Sequence, residues 1–451
     1  MRQNNTGWSG LCKAGYNTVM IRPPYLHLTP ATRRVRIDPH DSQFIQNPYA
    51  AYAFLQGTAP VFFWEDYGFW CLAGYDEVNR ALRDKRFGRE RPGGYMQSVS
   101  AGVDRAHLAD FDALEAGSML ELEPPVHTRL RTLVNRAFVS RQVERLRPRI
   151  EQLASDLIDR FEDDGAVDLL PAFATPLPSV VIAEMLGVPA DMAAQLVEWS
   201  NRMVAMYMHA PTRATELAAN AAARDFASFI RGEVEARRNG PADDLLGLLV
   251  SARDEGDRLS DAELVSSAIL LLNAGHEATV HQIGNAVRTI LNEGGDPRRF
   301  FETPEAAEPT VEECLRIDPP LHMFTRYASE RVELTPEAII EPGQQIGLLL
   351  GAANNDPAAF DAPRRFLPGR ADQKNVTFGA GIHFCIGAPL ARLELQVALK
   401  VLFDRLPTLR LAYEPTYRDS YHFHGLDRLK VEWWVPKYQP VNPIANEAAS
   451  D

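Results

Sequence analysis

Cysteine is scarce in this chain, with 4 in 451 residues, at Cys12, Cys71, Cys314 and Cys385. No two of them form a CxxC pair, so a zinc site or a four-cysteine iron–sulfur centre is excluded, as is a disulfide framework of the secreted kind. No stretch approaches the roughly 20 apolar residues that a membrane-spanning helix needs. The amino-terminal MRQNNTGWSGLCKAGYNTVMIRPPYL lacks the apolar run of a signal peptide. Positive charge is also short. With 47 Lys and Arg against 60 Asp and Glu, the net charge is -13, which argues against non-specific nucleic-acid binding. No Gly/Ser-rich, repetitive or low-complexity segment divides the chain. These absences predict one large domain in a reducing cytoplasm, with no membrane span and no nucleic-acid partner.

What is present fits that frame. Hydrophobic residues make up 45% and charged residues 24%, ample for a large core. Residues 1–40 read as an irregular leader, 41–436 as the main domain and 437–451 as a tail. APVFFWEDYGFWCLAG carries a polar turn between two apolar runs, a hairpin signal. Residues 88–118 are glycine-rich and aperiodic, and a loop of that length inside a compact domain often forms part of a ligand site. Helical periodicity dominates from Val126 to about residue 292, after which short strands and one more helix follow. The expected fold is mainly α with small β-sheets.

One helix is unusually long. Ser260 with Glu263 forms a capping box and Gly294-Gly295 a stop. Between them lie about 30 residues, roughly 45 Å at 1.5 Å per residue, enough to cross a whole core. At its middle stands AGHEAT, residues 274–279. Gly275 costs about 1 kcal/mol relative to Ala in a helix, which makes sense if something approaches the backbone closely.

The stretch FGAGIHFCIG, residues 378–387, concentrates chemistry. Its glycines permit positive-φ turns and close approach to a flat ligand. Cys385 has three possible roles by chemistry alone: core filling, nucleophilic attack with His383 as base, or soft ligation of iron. The ten-residue pattern F-G-x-G-x-H-x-C-x-G resembles the proximal haem loop of the cytochrome P-450 family at Phe378, Gly379, Gly381, His383, Cys385 and Gly387. The resemblance spans about residues 40–435 and implies a cytochrome P-450 fold. It further implies haem b (iron protoporphyrin IX) with the Cys385 thiolate as axial ligand.

Other segments resemble the family in the same order. LEPPVHTRLR, with Arg326 and His383, implies a propionate-binding set of His127, Arg131, Arg326 and His383. Two buried propionates would need such partners. Where the family segment usually begins with Asp, Glu123 stands here. EECLR places Glu313 and Arg316 one turn apart, so the two can pair. Thr310 with Glu313 could equally be a capping box. In the family the Glu–Arg pair joins a later arginine to form a structural lock, and Arg365 stands at the matching place.

One departure concerns oxygen. The family usually places a hydroxyl directly after the acid of the long helix, and here Glu277 is followed by Ala278. Oxygen activation consumes two protons, so delivery must use Thr279, ordered water or the substrate, and Thr279 lies about 100° further round the helix. The resemblance implies a monooxygenase acting on O2 and a small-to-medium hydrophobic substrate. A peroxygenase, a haem-thiolate isomerase or dehydratase, and a non-enzymatic haem-binding sensor remain as alternatives. The chain has no flavin or nicotinamide fingerprint, so electrons must come from separate proteins, and the resemblance implies a ferredoxin or flavodoxin with its NAD(P)H-dependent reductase. A basic segment (RLRTLVNRAFVSRQVERLRPR) with Arg370, Lys374 and Arg392 offers a docking patch for such an acidic partner. By resemblance the substrate pocket draws on the 88–118 loop and on the helices around Met203, Met206, Met208 and Leu217. Leu271, Ala274, Leu321, Met323, Phe324, His422 and Phe423 complete it.

Overall fold

Strands gather at one side of the molecule and helices fill the rest. The computed structural model describes residues 21–91, 93, 104–137, 143–208, 211–240, 243–252 and 258–435. Strands β1 (His27–Thr29), β2 (Arg34–Arg36), β3 (Val61–Trp64), β4 (Phe69–Leu72) and β5 (Phe87–Gly88) come early in the chain. They join β7 (Met323–Ala328) and β10 (Gln345–Leu349) in a seven-stranded sheet of order β1-β2-β3-β4-β10-β7-β5. Strands β6 (Ala166–Asp168), β11 (Arg410–Leu411) and β12 (Lys430–Glu432) form a second sheet, and β8 (Val332–Thr335) with β9 (Ala338–Ile340) a third.

The expected hairpin at residues 60–73 is β3–β4, paired from Val61↔Leu72 to Trp64↔Phe69, with Gly68 in the left-handed region at φ 76°. The expectation of an irregular leader to residue 40 fails for residues 27–36. These form β1 and β2, and Leu26, Val35 and Ile37 are fully buried. Trp64 Nε1 donates to the Ile37 carbonyl at 2.9 Å and locks that segment onto the sheet. Its alternation is only three residues long, too short for a period-2 signal to register.

Helices α1 (Ala109–Ala116), α2 (Val126–Ala137), α3 (Arg147–Ile158), α4 (Pro176–Leu186), α5 (Ala193–Val204) and α6 (Arg213–Asn239) precede the long helix α7 (Asp261–Asn292). Helix α1 corrects the expected loop over 88–118, most of whose middle lies outside the described residues. Helix α3 buries Ile150, Leu153, Leu157 and Ile158, as its spacing requires. Helix α7 runs 32 residues, about 48 Å. Ser260 Oγ accepts from the Glu263 amide and the Glu263 side chain returns the bond, so the capping box is formed. Helices α4, α5, α6, α8 (Pro304–Ile317) and α9 (Ala388–Arg405) all pack on α7, which places its middle in the core. Among the described residues no helix is long and apolar enough to cross a membrane.

Gly275 has its close neighbour within the protein. A Cβ there would lie 3.1 Å from Ile182 Cγ1, so the glycine lets α4 seat against α7. Thr310 lies inside α8, whose N-cap is Thr303, so the capping-box alternative for Thr310 and Glu313 does not form.

Candidate active site

The loop 378–387 enters α9 through a tight turn. Gly379 and Gly381 adopt left-handed φ values of 69° and 72°, which glycine alone takes without strain. A Cβ at Gly381 would sit 2.5 Å from the Leu82 carbonyl oxygen, and one at Gly379 3.3 Å from the Phe324 ring. These two glycines therefore admit neighbouring protein, and neither lines the cavity. Gly387 does line it, and a Cβ added there would lie 3.8 Å from Cys385 Sγ. The Cys385 amide donates to the Phe378 carbonyl at 3.0 Å, which fixes the thiol just ahead of α9. Burial pushes that thiol's pKa up, opposed by the amides of Gly387 and Ala388 and by Arg131 and Arg392. Cys71 and Cys314 are core residues with thiols pushed up by burial, while Cys385 is exposed to the cavity.

That cavity has a volume of about 690 Å³. Cys385, Phe378 and Gly387 line it from the α9 side, and Gly275, Glu277, Ala278 and Thr279 line it from α7. Leu271, Ala274, Leu321, Met323, Phe324, His422 and Phe423 all face it, as do Met203, Met206 and Met208. Leu217 does not. It is half exposed, and its neighbour Glu216 lines the cavity in its place because α6 presents that face inward.

One end of the cavity is cationic. His127, Arg131, Arg326 and His383 meet there, with the His127 and His383 rings 4.3 Å apart between centroids. Neither ring nitrogen of His127 has a hydrogen-bond partner among the described residues. Burial, then the charges of His383 and Arg131, push its pKa down to about 4. Among the described residues the Arg326 guanidinium hydrogen-bonds only the neighbouring Thr325 carbonyl, at 2.8 Å. Burial and the nearby Arg89 push Arg326 down to about 9. Arg131 donates to the Phe384 carbonyl at 2.5 Å. Glu123 accepts from His383 Nε2 at 2.9 Å and from the Arg89 amide at 2.6 Å. A buried arginine, a partly buried one and an orphaned imidazole lining one end of a cavity are what a dianionic ligand edge would satisfy. The residues present fit a haem with its propionates at this end.

On the α7 side, Glu277 Oε2 has no partner among the described residues. Ala278 contributes only a methyl. Thr279 Oγ1 lies 3.5 Å from the Gly275 carbonyl, so its hydroxyl leans back onto the helix. His281, one turn beyond Glu277, places Nε2 3.8 Å from Glu277 Oε1.

Behind the cysteine loop, Arg316 donates through Nε and Nη2 to both Glu313 oxygens at 2.8 Å. The third member expected from the sequence was Arg365. Its backbone carbonyl takes part, but its side chain is exposed, and Arg370 Nε binds Glu313 Oε1 at 2.9 Å instead. The turn at 362–367 delivers the later arginine because the Leu367 amide also bonds Glu313.

The proposed docking cations are largely spent within the chain. Arg370 pairs with Glu313, Lys374 with Asp372, Arg392 with Glu312, Arg129 with Glu263 and Arg149 with Glu184. Residues 138–142 of the basic segment lie outside the described residues.

Sequence inspection passed over Arg89, Glu115, Glu121 and His281, three of them lining the cavity and His281 reaching it through Glu277. Only His281 carried a signal, its i, i+4 spacing from Glu277.

Comparison with known proteins agrees with this geometry. The family described as Cytochrome P450 matches residues 306–408. The 6-deoxyerythronolide B hydroxylase of Saccharopolyspora erythraea is 39% identical over 395 residues, 85% of this chain and 95% of that protein. The vitamin D(3) 25-hydroxylase of Pseudonocardia autotrophica is 38% identical over 395 residues, 86% of this chain and 94% of that protein. Among solved structures, P450BioI in complex with an acyl carrier protein ligated to hexadec-9Z-enoic acid superposes with a TM-score of 0.80. It is 33% identical and covers 87% of this chain and 99% of its own. The fold and site thus define a haem-thiolate enzyme class. The chain belongs to the cytochrome P450 family of monooxygenases.

Proposed function

We propose that this protein inserts one atom of O2 into a mid-sized hydrophobic substrate, with haem b held by the Cys385 thiolate. The observation that carries this function is a cavity with Cys385 on one wall, Glu277 on the other, and the buried Arg326 and the orphaned His127 imidazole at one end. The haem, when bound, supplies O2 binding and reductive cleavage of the O–O bond. The chain's residues do the rest. His127, Arg131, Arg326 and His383 hold the propionates, and each carboxylate offsets a cation that burial destabilises. Phe378 and Gly387 shape the α9 wall, and Gly379 and Gly381 set the turn that presents Cys385. Glu313, Arg316 and Arg370 lock the 362–367 turn onto α8.

Glu277 is the proton-carrying group of the α7 wall. Ala278 offers no hydroxyl, and Thr279 is turned toward Gly275, so protons reach the reacting oxygen through Glu277 and water. Leu271, Ala274, Leu321, Met323, Phe324 and Phe423 exclude bulk water and favour an apolar substrate, and His422 adds a polar contact. Two relatives are named for hydroxylating 6-deoxyerythronolide B and vitamin D(3), which supports a mid-sized, largely apolar cyclic or steroid-like substrate. Electrons come from a ferredoxin or flavodoxin and its NAD(P)H-dependent reductase.

The test is spectroscopic. The reduced, CO-treated wild type is expected to give the absorption band of thiolate-ligated haem, and Cys385→Ser to lose it. A band that survives the substitution removes Cys385 as the ligand. A ligand screen by spectral shift then identifies the substrate class.

A further inference from the structure

We propose that His281 feeds protons to Glu277 from the far side of the long helix, and so offsets the alanine at position 278. The proposal rests on the haem-monooxygenase function above. It starts from a pair of orphaned groups. Glu277 Oε2 and His281 Nε2 both lack hydrogen-bond partners among the described residues, although both are buried. Such groups are costly unless they serve each other or a ligand. They stand four residues apart on one face of α7, with Oε1 and Nε2 at 3.8 Å. That exceeds hydrogen-bond length, but the terminal torsion of a glutamate is broad. A rotation of the carboxyl moves an oxygen between the cavity and the imidazole.

The surroundings of His281 set a direction for the transfer. The ring is 4% exposed and is held by the chain segment 417–426. A Cβ at Gly425 would lie 2.0 Å from His281 Nδ1, so only glycine there leaves room for the imidazole. Phe423, which lines the cavity, stands with its ring centroid 6.4 Å from that of His281. The titratable groups facing His281 are Glu277 and His276 on its own helix, and Arg418 and His424 from the 417–426 segment. Asp318, at the end of α8, pairs with His424 at 3.4 Å and is not among the residues lining the cavity. Arg418 is exposed and its charge acts on the ring, so the 417–426 segment links the imidazole to the protein surface. Burial, aided by Arg418 and His424, pushes the His281 pKa below its ordinary 6.5, opposed by Glu277. The imidazole therefore rests neutral and empties readily.

The transfer balances simply. Glu277 gives its proton toward the cavity and becomes a carboxylate. A proton arriving at His281 Nδ1 from the Arg418 side releases the one on Nε2 to Glu277 Oε1, which restores the acid. No electron moves in either step. His281 touches no reacting atom and acts only through Glu277.

The experiment compares wild type, His281→Gln, and His281→Gln with Ala278→Thr, as holoenzymes. Gln keeps a polar side chain of similar reach but cannot pass a proton. Product formed per NAD(P)H is expected to fall at least about tenfold in His281→Gln, less than the loss of a general acid because water still leaks protons in. Restoring threonine at 278 should recover most of that loss. The infrared C–O stretch of the reduced CO form, sensitive to charge beside the ligand, should step with pH below 6.5 in wild type and stay level in His281→Gln. Unchanged coupling in His281→Gln, or a pH step that survives the substitution, overturns the proposal. The CO absorption band on the same samples separates the two levels. A normal band with unchanged coupling overturns the His281 role alone, and a wild type without the band overturns the haem function as well.

Discussion

Arg370 and Glu313 meet at 2.9 Å, and this contact closes a lock that the sequence assigned to Arg365. Glu313 and Arg316 are both nearly inaccessible to solvent, at 4% and 1% exposure. Removing one partner of a buried pair leaves the other charge uncompensated, at a cost of about 3–5 kcal/mol. Glu313→Ala is therefore expected to lose about that much stability in urea denaturation. Arg365→Ala, at an exposed guanidinium, should stay within about 0.5 kcal/mol. Equal losses in the two variants would put Arg365 back in the lock.

Gly381 makes a sharper steric prediction. Its φ of 72° disfavours any side chain, and a Cβ would lie 2.5 Å from a backbone oxygen that cannot swing aside. Gly381→Ala should lower the fraction of protein purified with haem and lower the melting temperature. Gly369→Ala, where an added Cβ meets nothing within 4 Å, is the matched control. A Gly381→Ala protein with full haem content and unchanged melting would show that the Leu82 segment yields.

Glu115 gives a pH dependence with a definite sign. Burial, reinforced by the Glu121 charge, raises its pKa from 4.5 to about 8, against a hydrogen bond from the Tyr207 hydroxyl. The folded state thus holds a proton that the unfolded chain releases. The associated stability is present below pH 4.5 and is lost as pH rises toward 8. Glu115→Gln should remove this loss, so its melting temperature should gain on wild type between pH 6 and 8. Parallel melting curves would contradict it.

Reduction by an acidic redox partner should depend only shallowly on salt. Arg370, Lys374 and Arg392, which flank the cysteine loop, are each paired with an acid of the same chain. Steering needs uncompensated charge, and screening acts on that. Stopped-flow reduction rates should change by less than about threefold between low and moderate ionic strength, where unpaired patches show far more. A steep fall would mean that these pairs open for the partner.

Much of the fold was legible because its signals are local. The capping box at Ser260, the hairpin around Gly68 and the buried face of α3 depend on residues a few positions apart. The cysteine loop was legible for the same reason, since ten adjacent residues carry it. The strands at residues 27–36 and helix α1 escaped notice because elements of three to eight residues draw their stability from the surfaces they pack on.

The sequence by itself determined the long helix, the single reactive-position cysteine and the missing hydroxyl at 278. Only the tertiary structure decided which arginine closes on Glu313, that Glu123 holds His383, and that His281 faces Glu277 beneath Gly425. Helix periods and caps are written in neighbouring residues. Pairings across the core are fixed by ångström-scale placement of segments that lie far apart in the chain, and a five-residue offset such as 365 against 370 changes the partner without changing the pattern.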